Sequence, residues 1–312
     1  MKKVRDYLVK IKNTNLWLLL LWNEWQRYKG IKNLKKWNDV EAINNLYFNF
    51  SGKYPNIKNP QTFSEKQQWL KLYYHNPLMI QCADKIEVRN FITAKGYAHI
   101  LNKVLATYTS IKEFNVNVLP NKFVLKASHG SGWNLIVKDK TTVNWFVWKK
   151  IMNSWLKNNI FWPGREWPYK HMKQRIVCEA YLEDESGLLM DYKVFCFNGT
   201  PTFIQANKGR DTKKHAQNFY DKNWELLPFG KDLTPLPEVH IPKPVSLDKM
   251  VTIASDLSQD FPFVRVDFYE VNGNPIFGEL TFFPKSGLPD FIPIEYDMEI
   301  GKMLNLPKAI NN

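Results

Sequence analysis

The sequence predicts an α+β protein, and three observations support that fold class. The first 84 residues read as helical, because their apolar residues recur at helical spacing. Beyond Gly96 the chain changes to short β-forming runs separated by Asn, Gly and Pro. With 312 residues, of which 44% are hydrophobic, it is long enough to bury a substantial core in one large or two to three smaller domains.

The N-terminal region contains an apolar run, residues 16–22, followed by Trp25 and Tyr28 among basic residues. The run is far shorter than the ~20 residues needed to span a bilayer. No small-residue cleavage site follows it, so it does not read as a secretory signal peptide. Two interpretations stay open: a helix packed on its own domain, or a helix in a membrane interface.

Cysteine usage points to a reducing compartment. Cys82, Cys178 and Cys196 form no CxxC pair and are too few for a disulfide framework. We therefore expect a cytoplasmic protein.

The net charge favours anionic partners. Against 43 Lys and Arg stand 30 Asp and Glu, which leaves a formal charge of +13. Nucleotides, acidic polymers and an anionic membrane face all fit that sign, and solvated lysines on helix surfaces explain it equally well.

Helices are predicted at several further positions. Ser64 is a candidate N-cap for the segment that carries Trp69, Leu70 and Leu72. A helix-like stretch runs from Asp84 towards Gly96, and the aromatic residues between 143 and 160 recur at the spacing of a core helix.

A strand, a small-residue loop and a second strand are predicted between residues 123 and 137. Lys126 lies in an otherwise apolar run, where a lysine is unfavourable unless it meets an anion. The β-type run ends at Ser128, and the following loop, His129, Gly130, Ser131 and Gly132, exposes backbone N–H groups that can close over a phosphate. An ordinary hairpin turn is the alternative, and neither a P-loop nor a dinucleotide fingerprint is present.

The last predicted hairpin carries a cluster of charges. Side chains alternate along a strand, so Arg265 and Asp267 share one face of theirs. A two-residue turn at Asn272 and Gly273 would place Asp267 and Glu279 on opposite sides of the hairpin. An odd-length loop would place them together, and we predict the odd-length loop.

On that geometry two carboxylates converge. Like charges brought close need a cation, and oxygen ligands favour Mg²⁺, with Thr281 on the same strand face as Glu279. The alternative is a surface hairpin with solvated charges, although the apolar residues around the carboxylates indicate that at least one face is buried.

Other charged residues fit either phosphate binding or solvent exposure. Lys85 follows Asp84 at a helix start, and Asp191 shares a strand face with Lys193. The six histidines show no spacing suited to zinc, and no GxSxG motif occurs.

Taken in order, these pieces resemble the ATP-grasp superfamily, and more narrowly the TupA-like (teichuronopeptide biosynthesis) family of polysaccharide biosynthesis clusters. The narrower resemblance spans about residues 46–300. It rests on the blocks NPQTFSEKQQWLKLY (from Asn59), FVLKASHGSG (from Phe123), GREWPYK (from Gly164), DYKVFCFNG (from Asp191), NFYD (from Asn218) and GELTF (from Gly278).

The resemblance implies two α+β subdomains that clamp ATP, preceded by a helical region. We expect the helical region at residues 1–84, the first subdomain with the phosphate-binding loop at 85–178, and the second with the metal-binding hairpin at 179–312. The implied nucleotide-binding residues are Lys85, Lys126, Ser128, His129, Gly130, Ser131, Gly132, Glu179, Ala180, Leu182 and Asp191.

The resemblance also implies a Mg²⁺ site and two catalytic residues. Asp267, Glu279 and Thr281 would hold the metal, and Arg265 with Lys193 would act on the transferred phosphoryl group. Two departures from the family pattern stand out. Thr281 replaces the usual Asn at the third metal position, and Trp133 with Asn134 stands where similar chains continue with glycine.

The activity implied by the resemblance is that of an ATP-dependent carboxylate–amine ligase acting through an acyl phosphate. The expected partners are ATP, a uronic acid of a capsular or cell-surface polysaccharide, and an amino acid or amine. Residues 162–173 are either an acceptor contact or structural. A peripheral contact with the inner membrane face or with the polysaccharide assembly machinery is a further expectation.

Two other classes compete with this interpretation. A glycosyltransferase would need a DxD-like metal site, and the nearest sequence is Glu183-Asp184-Glu185, which reads as a solvated turn. A nucleic-acid-binding protein is not expected, because no recognised module is present and Asp267 with Glu279 would repel phosphate.

Overall fold

A computed structural model of the chain describes residues 15–29, 36–185, 187, 189–208, 216–231, 239 and 241–310. In chain order the elements are α1 (Leu16–Lys29), α2 (Asp39–Ser51), α3 (Phe63–Tyr73), α4 (Leu78–Ala83), α5 (Val88–Ala94), β1 (Val104–Tyr108), β2 (Phe123–Ala127), β3 (Asn134–Val137), α6 (Trp145–Trp155), α7 (Phe161–Gly164), β4 (Ile176–Ala180), β5 (Met190–Phe197), β6 (Thr200–Lys208), β7 (Ala216–Tyr220), β8 (Gly230–Lys231), α8 (Leu247–Ser258), β9 (Phe263–Val271), β10 (Asn274–Thr281), β11 (Phe291–Ile292) and α9 (Tyr296–Met303).

The first sheet has four antiparallel strands in the order β1-β4-β2-β3. Along β2, Phe123, Leu125 and Ala127 are fully buried, whereas Val124 and Lys126 are only partly buried. The buried row packs with residues of α6 in one apolar cluster. Because side chains alternate along a strand, Lys126 projects from the face that α6 leaves uncovered.

The second sheet has five antiparallel strands in the order β10-β9-β5-β6-β7. Its core joins aromatic residues of these strands with apolar residues of α8. The helices α3 and α4 belong to the same core, since the Phe63 ring of α3 lies 5.0 Å from that of Phe263. Much of the predicted N-terminal helical region is therefore integrated with the second sheet.

The strand β4 bears on the predicted domain division. All five of its residues pair with β2, from Ile176 opposite Ala127 to Ala180 opposite Phe123. The expected boundary after residue 178 falls inside this strand, and a division after residue 180 keeps the first sheet whole.

The start of α3 differs from the sequence-based expectation. Thr62, not Ser64, is the N-cap, because Glu65 three residues later completes a reciprocal capping box with Thr62. Ser64 instead lies inside the helix, where its backbone N–H and its hydroxyl donate to the two carboxylate oxygens of Asp297, at 3.0 and 2.5 Å. The pair fastens α3 to α9.

Helix α1 packs against α6 on the outer side of the first sheet. Leu16, Leu19 and Leu20 face that cluster. Across the described ranges, no helix combines the length and the hydropathy required to traverse a bilayer.

Candidate functional site

The carboxylates of Asp267 and Glu279 stand opposite each other on β9 and β10. The turn between these strands is a two-residue turn, with positive φ angles at Asn272 (49°) and Gly273 (72°) and Val271 opposite Asn274. The predicted odd-length loop is therefore wrong, because Asn-Gly readily adopts the double positive φ of a tight hairpin.

A β-bulge restores the alignment that the two-residue turn would have lost. Phe277 pairs with Phe268, but Glu279 pairs with Asp267, so Gly278 is the extra residue on β10. A Cβ atom on Gly278 would lie 3.0 Å from the carbonyl oxygen of Asp267. Glycine therefore allows the close approach on which the carboxylate pair depends.

Four cations from four parts of the chain surround Glu279. Its carboxylate lies 3.5 Å from Lys85 Nζ and 3.8 Å from Arg265 Nη2. Burial raises the pKa of Glu279, but the charges of Lys85, Arg265, Lys193 and Lys126 outweigh it and lower the pKa to about 2. Glu279 is therefore ionised at any physiological pH and marks the point where both sheets contribute positive charge.

Asp267 is the centre of a buried ion network. Arg265 donates to both of its carboxylate oxygens, from Nε and Nη2, at 2.6 Å each. Lys193 Nζ donates to Asp267 at 2.7 Å and to Asp191 at 2.8 Å. Burial lowers the pKa of Arg265, but the charge of Asp267 reverses that effect and leaves the pKa raised. The charged side chains predicted on β5, Asp191 and Lys193, are thus in direct contact with those predicted on β9.

The oxygen atoms at this point suit a hard divalent cation. Asp267 and Glu279 offer two carboxylates. Oδ2 of Asp267 already accepts from both Arg265 and Lys193, so Oδ1 of Asp267 and the carboxylate oxygens of Glu279 keep a lone pair for a metal. Thr281 Oγ1 lies 3.3 Å from Glu279 Oε1, where it adds a neutral oxygen, and it also accepts a hydrogen bond from Arg265 at 3.1 Å. The Glu279 side chain keeps 39% exposure and is open to a ligand.

Lys126 and Glu179 form the matching polar pair on the first sheet. Glu179 lies directly opposite Val124, so it shares the uncovered face of the sheet with Lys126. Lys126 Nζ donates to Glu179 Oε2 at 2.6 Å. An anion that displaced this contact would meet a lysine that is already oriented.

A cavity of about 660 Å³ opens beside this pair. Lys126, Glu179 and Ala180 line it on the first sheet, Leu182 lines it just beyond β4, and Tyr269 of β9 lines it on the second sheet. Its size is that of a small-molecule site. The cavity therefore lies between the sheets, and Lys126 is the phosphate-site candidate in its lining.

The backbone of Ala180 is already hydrogen-bonded on both sides. Its N–H donates to the carbonyl of Lys103, and its carbonyl accepts from Asn102 Nδ2, both at 2.9 Å. Only the second lone pair of that carbonyl is open to a ligand. The predicted contact between Ala180 and adenosine would therefore use the carbonyl oxygen of Ala180 and not its N–H group. Asn102, which also lines the cavity, carried no sequence signal.

The loop between β2 and β3 is anchored to Lys85. Lys85 Nζ donates to the carbonyl of Gly130 at 2.8 Å, while Ser131 and Gly132 are exposed. The Trp133 ring packs over Gly130 so closely that a Cβ there would lie 2.5 Å from it. The aromatic residue that departs from the family pattern thus covers the base of the loop.

The side chains of Ser128 and His129 point away from the loop. Ser128 is buried and donates to Asp84 at 3.3 Å. His129 continues the inward row of β2, so its ring is buried and its Nε2 lies 2.9 Å from the Trp155 carbonyl oxygen. Burial lowers the pKa of His129. The nucleotide-binding roles of Ser128 and His129 stay predictions, and the inward orientation of both side chains does not favour them. The Ser128 N–H donates to the Arg175 carbonyl at 2.8 Å, and the Ser128 carbonyl accepts from the Lys85 N–H at 3.2 Å.

The segment 162–173 contributes both structure and a residue near the carboxylates. Arg165 is buried, and its guanidinium reaches Asp39 at 3.2 Å and the Trp37 carbonyl at 3.0 Å. Tyr169 lies nearer the site, since burial, then Glu166, then Glu279 raise its pKa well above the usual value. The sequence analysis included Tyr169 only within the segment 162–173 and did not single it out, although it belongs to a block that carried the family resemblance.

Comparison with known proteins places this chain in a family. The family described as TupA-like ATPgrasp matches residues 65–305, a range that includes every candidate site residue from Lys85 to Thr281. The chain therefore belongs to the TupA-like ATP-grasp family, and its two sheets form the ATP-grasp fold. Among functionally curated proteins no sequence matches the chain.

Several solved ligases are similar in part. The D-alanine–D-alanine ligase from Bacillus anthracis shows 17% identity and a TM-score of 0.42, with 67% of this chain and 58% of that one covered. The D-alanine–D-alanine ligase from Helicobacter pylori shows 12% identity and a TM-score of 0.41, with 80% of this chain and 68% of that one covered. An L-amino acid ligase from Bacillus licheniformis shows 13% identity and a TM-score of 0.38, with 72% of this chain and 43% of that one covered. The chain thus spans 58% of the length of the first of these ligases.

Proposed function

We propose that the protein is a Mg²⁺-dependent, ATP-using carboxylate–amine ligase that forms an amide on a uronic acid of a capsular or cell-surface polysaccharide. One observation carries the proposal: Asp267 and Glu279 stand opposite each other, and positively charged side chains from both sheets lower the pKa of Glu279 and keep it ionised. Paired carboxylates among lysines and an arginine suit a metal-bound polyphosphate, because each charge on the ligand meets an opposite charge.

Within this proposal the cleft holds ATP with its base in the cavity and its phosphates near Glu279. Lys126, Lys85 and the N–H groups of the 130–132 loop bind the phosphates. Glu179, the Ala180 carbonyl and Leu182 contact adenosine. Asp267, Glu279 and Thr281 would hold Mg²⁺, which would neutralise charge on the phosphate oxygens.

The reaction has two steps. A carboxylate oxygen of the acceptor attacks the γ-phosphorus, the bond to the β–γ bridging oxygen breaks, and ADP leaves. An amine then attacks the acyl carbon, the C–O bond to phosphate breaks, inorganic phosphate leaves, and the amine loses a proton. Arg265 and Lys193, fixed by Asp267 and Asp191, stabilise the phosphoryl oxygens during transfer.

The choice of a uronic acid rests on family context and on charge. A surface with a formal charge of +13 attracts an acidic polysaccharide and its precursors. Burial raises the pKa of Tyr169 and of Glu166, and the charge of Glu279 adds to the shift of Tyr169. We place the acceptor and the amine donor beside these two residues.

We further propose that the protein works in the cytoplasm. The reaction consumes ATP, and the free, buried cysteines Cys82, Cys178 and Cys196 suit a reducing compartment.

The test compares acceptors that differ only in the carboxylate. Purified protein with Mg²⁺ and ATP is incubated with glucuronate or galacturonate, or with glucose or galactose as matched controls, with and without a panel of amino acids. We expect ADP release with a uronate and not with the neutral sugar. Hydroxylamine should trap the activated carboxylate as a hydroxamate.

Two results would contradict the proposal. One is ADP release that does not depend on any carboxylate and yields no hydroxamate. The other is turnover of a nucleotide sugar in the absence of ATP, which would indicate a glycosyltransferase.

A further inference from the structure

A strained turn follows the strand that carries Glu279 and Thr281. Lys285, Ser286 and Gly287 have φ angles of 53°, 57° and 62°, so three successive residues lie in the left-handed region. That region is unfavourable for residues with a Cβ atom, and such residues stay there only where surrounding contacts impose the conformation, often at functional sites. The contacts that hold this turn therefore bear on the chemistry of the neighbouring site.

Buried polar residues of α3 hold the turn. Lys71 Nζ donates to the Ser286 carbonyl at 2.6 Å, to the Ser286 hydroxyl at 3.0 Å and to Gln68 Oε1 at 2.9 Å. Gln68 Nε2 donates to the Gly287 carbonyl at 2.6 Å. Both side chains of α3 are buried, and the three N–H donors of Lys71 are all used within the protein. Lys71 thus fixes the Ser286 hydroxyl rather than binding a ligand itself.

The turn packs against the segment 164–169. A Cβ atom on Gly164 would lie 2.5 Å from Ser286 Oγ and 3.0 Å from Glu166 Oε1, so the hydroxyl and the carboxylate meet over a glycine. Because Ser286 Oγ accepts from Lys71, its own proton is directed to Glu166 or to the Gly164 carbonyl, 3.4 Å away. One hydrogen bond from a hydroxyl leaves the carboxylate with further lone pairs.

Glu166 is the charged group of this cluster. Within the ranges that the structure describes, no basic side chain lies within 4.0 Å of its carboxylate oxygens. Burial raises the pKa of Glu166, and the more distant charge of Lys71 opposes that shift. Glu166, Ser286 and Tyr169 are only partly buried, so a ligand can reach them. A partly buried carboxylate that forms no ion pair suits a cationic ligand.

Tyr169 connects this carboxylate with the candidate metal site. Its N–H donates to the Glu166 carbonyl at 3.1 Å, and Trp167 between them stacks on His75 with ring centroids 4.9 Å apart. After burial, the charges of Glu166 and Glu279 raise the pKa of Tyr169 further, so its hydroxyl stays protonated. Both carboxylates therefore lie in the neighbourhood of one phenol, and a ligand at Glu166 would be near Glu279.

We propose that Glu166 binds the ammonium group of the amine donor, with the hydroxyls of Ser286 and Tyr169 beside it. This assignment rests on the proposed ligase function and gives residues to its second step. An ammonium ion has no lone pair for attack, so it must first lose a proton to a base.

The proton balance of that step is as follows from the assignment. One proton passes from the ammonium group to the Glu166 carboxylate. The neutral nitrogen attacks the acyl carbon, the C–O bond to phosphate breaks, and the second proton of the nitrogen leaves with the phosphate. Glu166 then releases its proton to solvent, and the carboxylate is ready for the next ammonium ion.

The test compares two nucleophiles in the full-length protein. Wild type and variants receive Mg²⁺, ATP and glucuronate or galacturonate, with either a panel of amino acids or hydroxylamine, and mass spectrometry measures amide and hydroxamate. Hydroxylamine is largely uncharged at neutral pH, so it needs no base. In Glu166→Gln we expect amide formation to fall about a hundredfold or more, and hydroxamate formation to stay within about twofold of wild type. Glu166→Asp, which keeps the charge, should recover part of the amide formation.

The control is Glu299→Gln, the same change at a side chain that is 56% exposed, and it should form both products like wild type. An equal loss of amide and hydroxamate in Glu166→Gln would show a structural role and overturn the amine site, as would unchanged amide formation. Hydroxamate without any amide from wild type would overturn the assignment of a cationic donor. An absence of both products from wild type would contradict the ligase function itself, and the amine site with it.

Discussion

Asp267 and Glu279 lie directly opposite each other although a two-residue turn joins their strands. The extra residue Gly278 shifts β10 by one position and turns Glu279 to the face of Asp267. The carboxylate pair therefore depends on a glycine that contributes no side chain.

The first prediction concerns this bulge. In Gly278→Ala the new Cβ would press on the Asp267 carbonyl, so we expect a loss of about 1–3 kcal/mol in the free energy of unfolding. ATP turnover should fall at least tenfold, because Asp267 moves. Gly273→Ala in the turn (φ 72°) is the control, with a loss of about 1 kcal/mol and near-normal turnover. Equal turnover in both variants would argue against the role of the bulge.

The second prediction concerns the charge of Glu279 in metal-free, nucleotide-free protein. Its pKa is lowered from 4.5 to about 2, so its ionised form stabilises the fold above pH 4.5, and this stabilisation is lost as the pH falls towards 2. At pH 6 we expect the free energy of unfolding of wild type to exceed that of Glu279→Gln by about 1 kcal/mol, a value reduced by solvent screening of the partly exposed side chain. Urea unfolding in EDTA at several pH values measures this difference. A constant difference across the range would contradict the assignment.

The third prediction concerns Lys126. Lys126→Met should weaken binding of an ATP analogue by about tenfold or more, the usual effect of losing a charge-assisted hydrogen bond. Lys302→Met removes the same charge from an exposed pair with Glu299 and serves as the control in calorimetry. If both variants bind like wild type, Lys126 does not contact the nucleotide.

The fourth prediction separates His129 from the loop that follows it. His129→Ala should lower the free energy of unfolding by about 2 kcal/mol, because it empties a buried position and removes the contact with the Trp155 carbonyl. The KM for ATP should stay within about twofold of wild type. A large rise in KM with unchanged stability would return the His129 side chain to the nucleotide site.

The sequence sufficed for the fold class and for the strands that carry Lys126, Lys193 and Asp267, because alternation and apolar runs are local signals. It did not reveal the register of β10. Asn272-Gly273 was a strong signal for a two-residue turn, and Gly278 inside a strand was a signal for a bulge, but the effect on Glu279 appears only when both are combined.

Other features depended on contacts between distant parts of the chain. His129 lies in the predicted loop, but it continues the alternation of side chains along β2, and its ring therefore points towards Trp155 of α6. Asn102 and Tyr169 reach the site through packing across elements, which no local pattern encodes.

The most direct test of the central claim is calorimetric titration of the protein with a non-hydrolysable ATP analogue, in Mg²⁺ and in EDTA. We expect wild type to bind at least tenfold more tightly with Mg²⁺, and Glu279→Gln and Asp267→Asn to lose most of that difference while remaining folded. Equal affinity of wild type in Mg²⁺ and EDTA, or a full Mg²⁺ effect in both variants, would contradict a metal–nucleotide site at the Asp267/Glu279 pair.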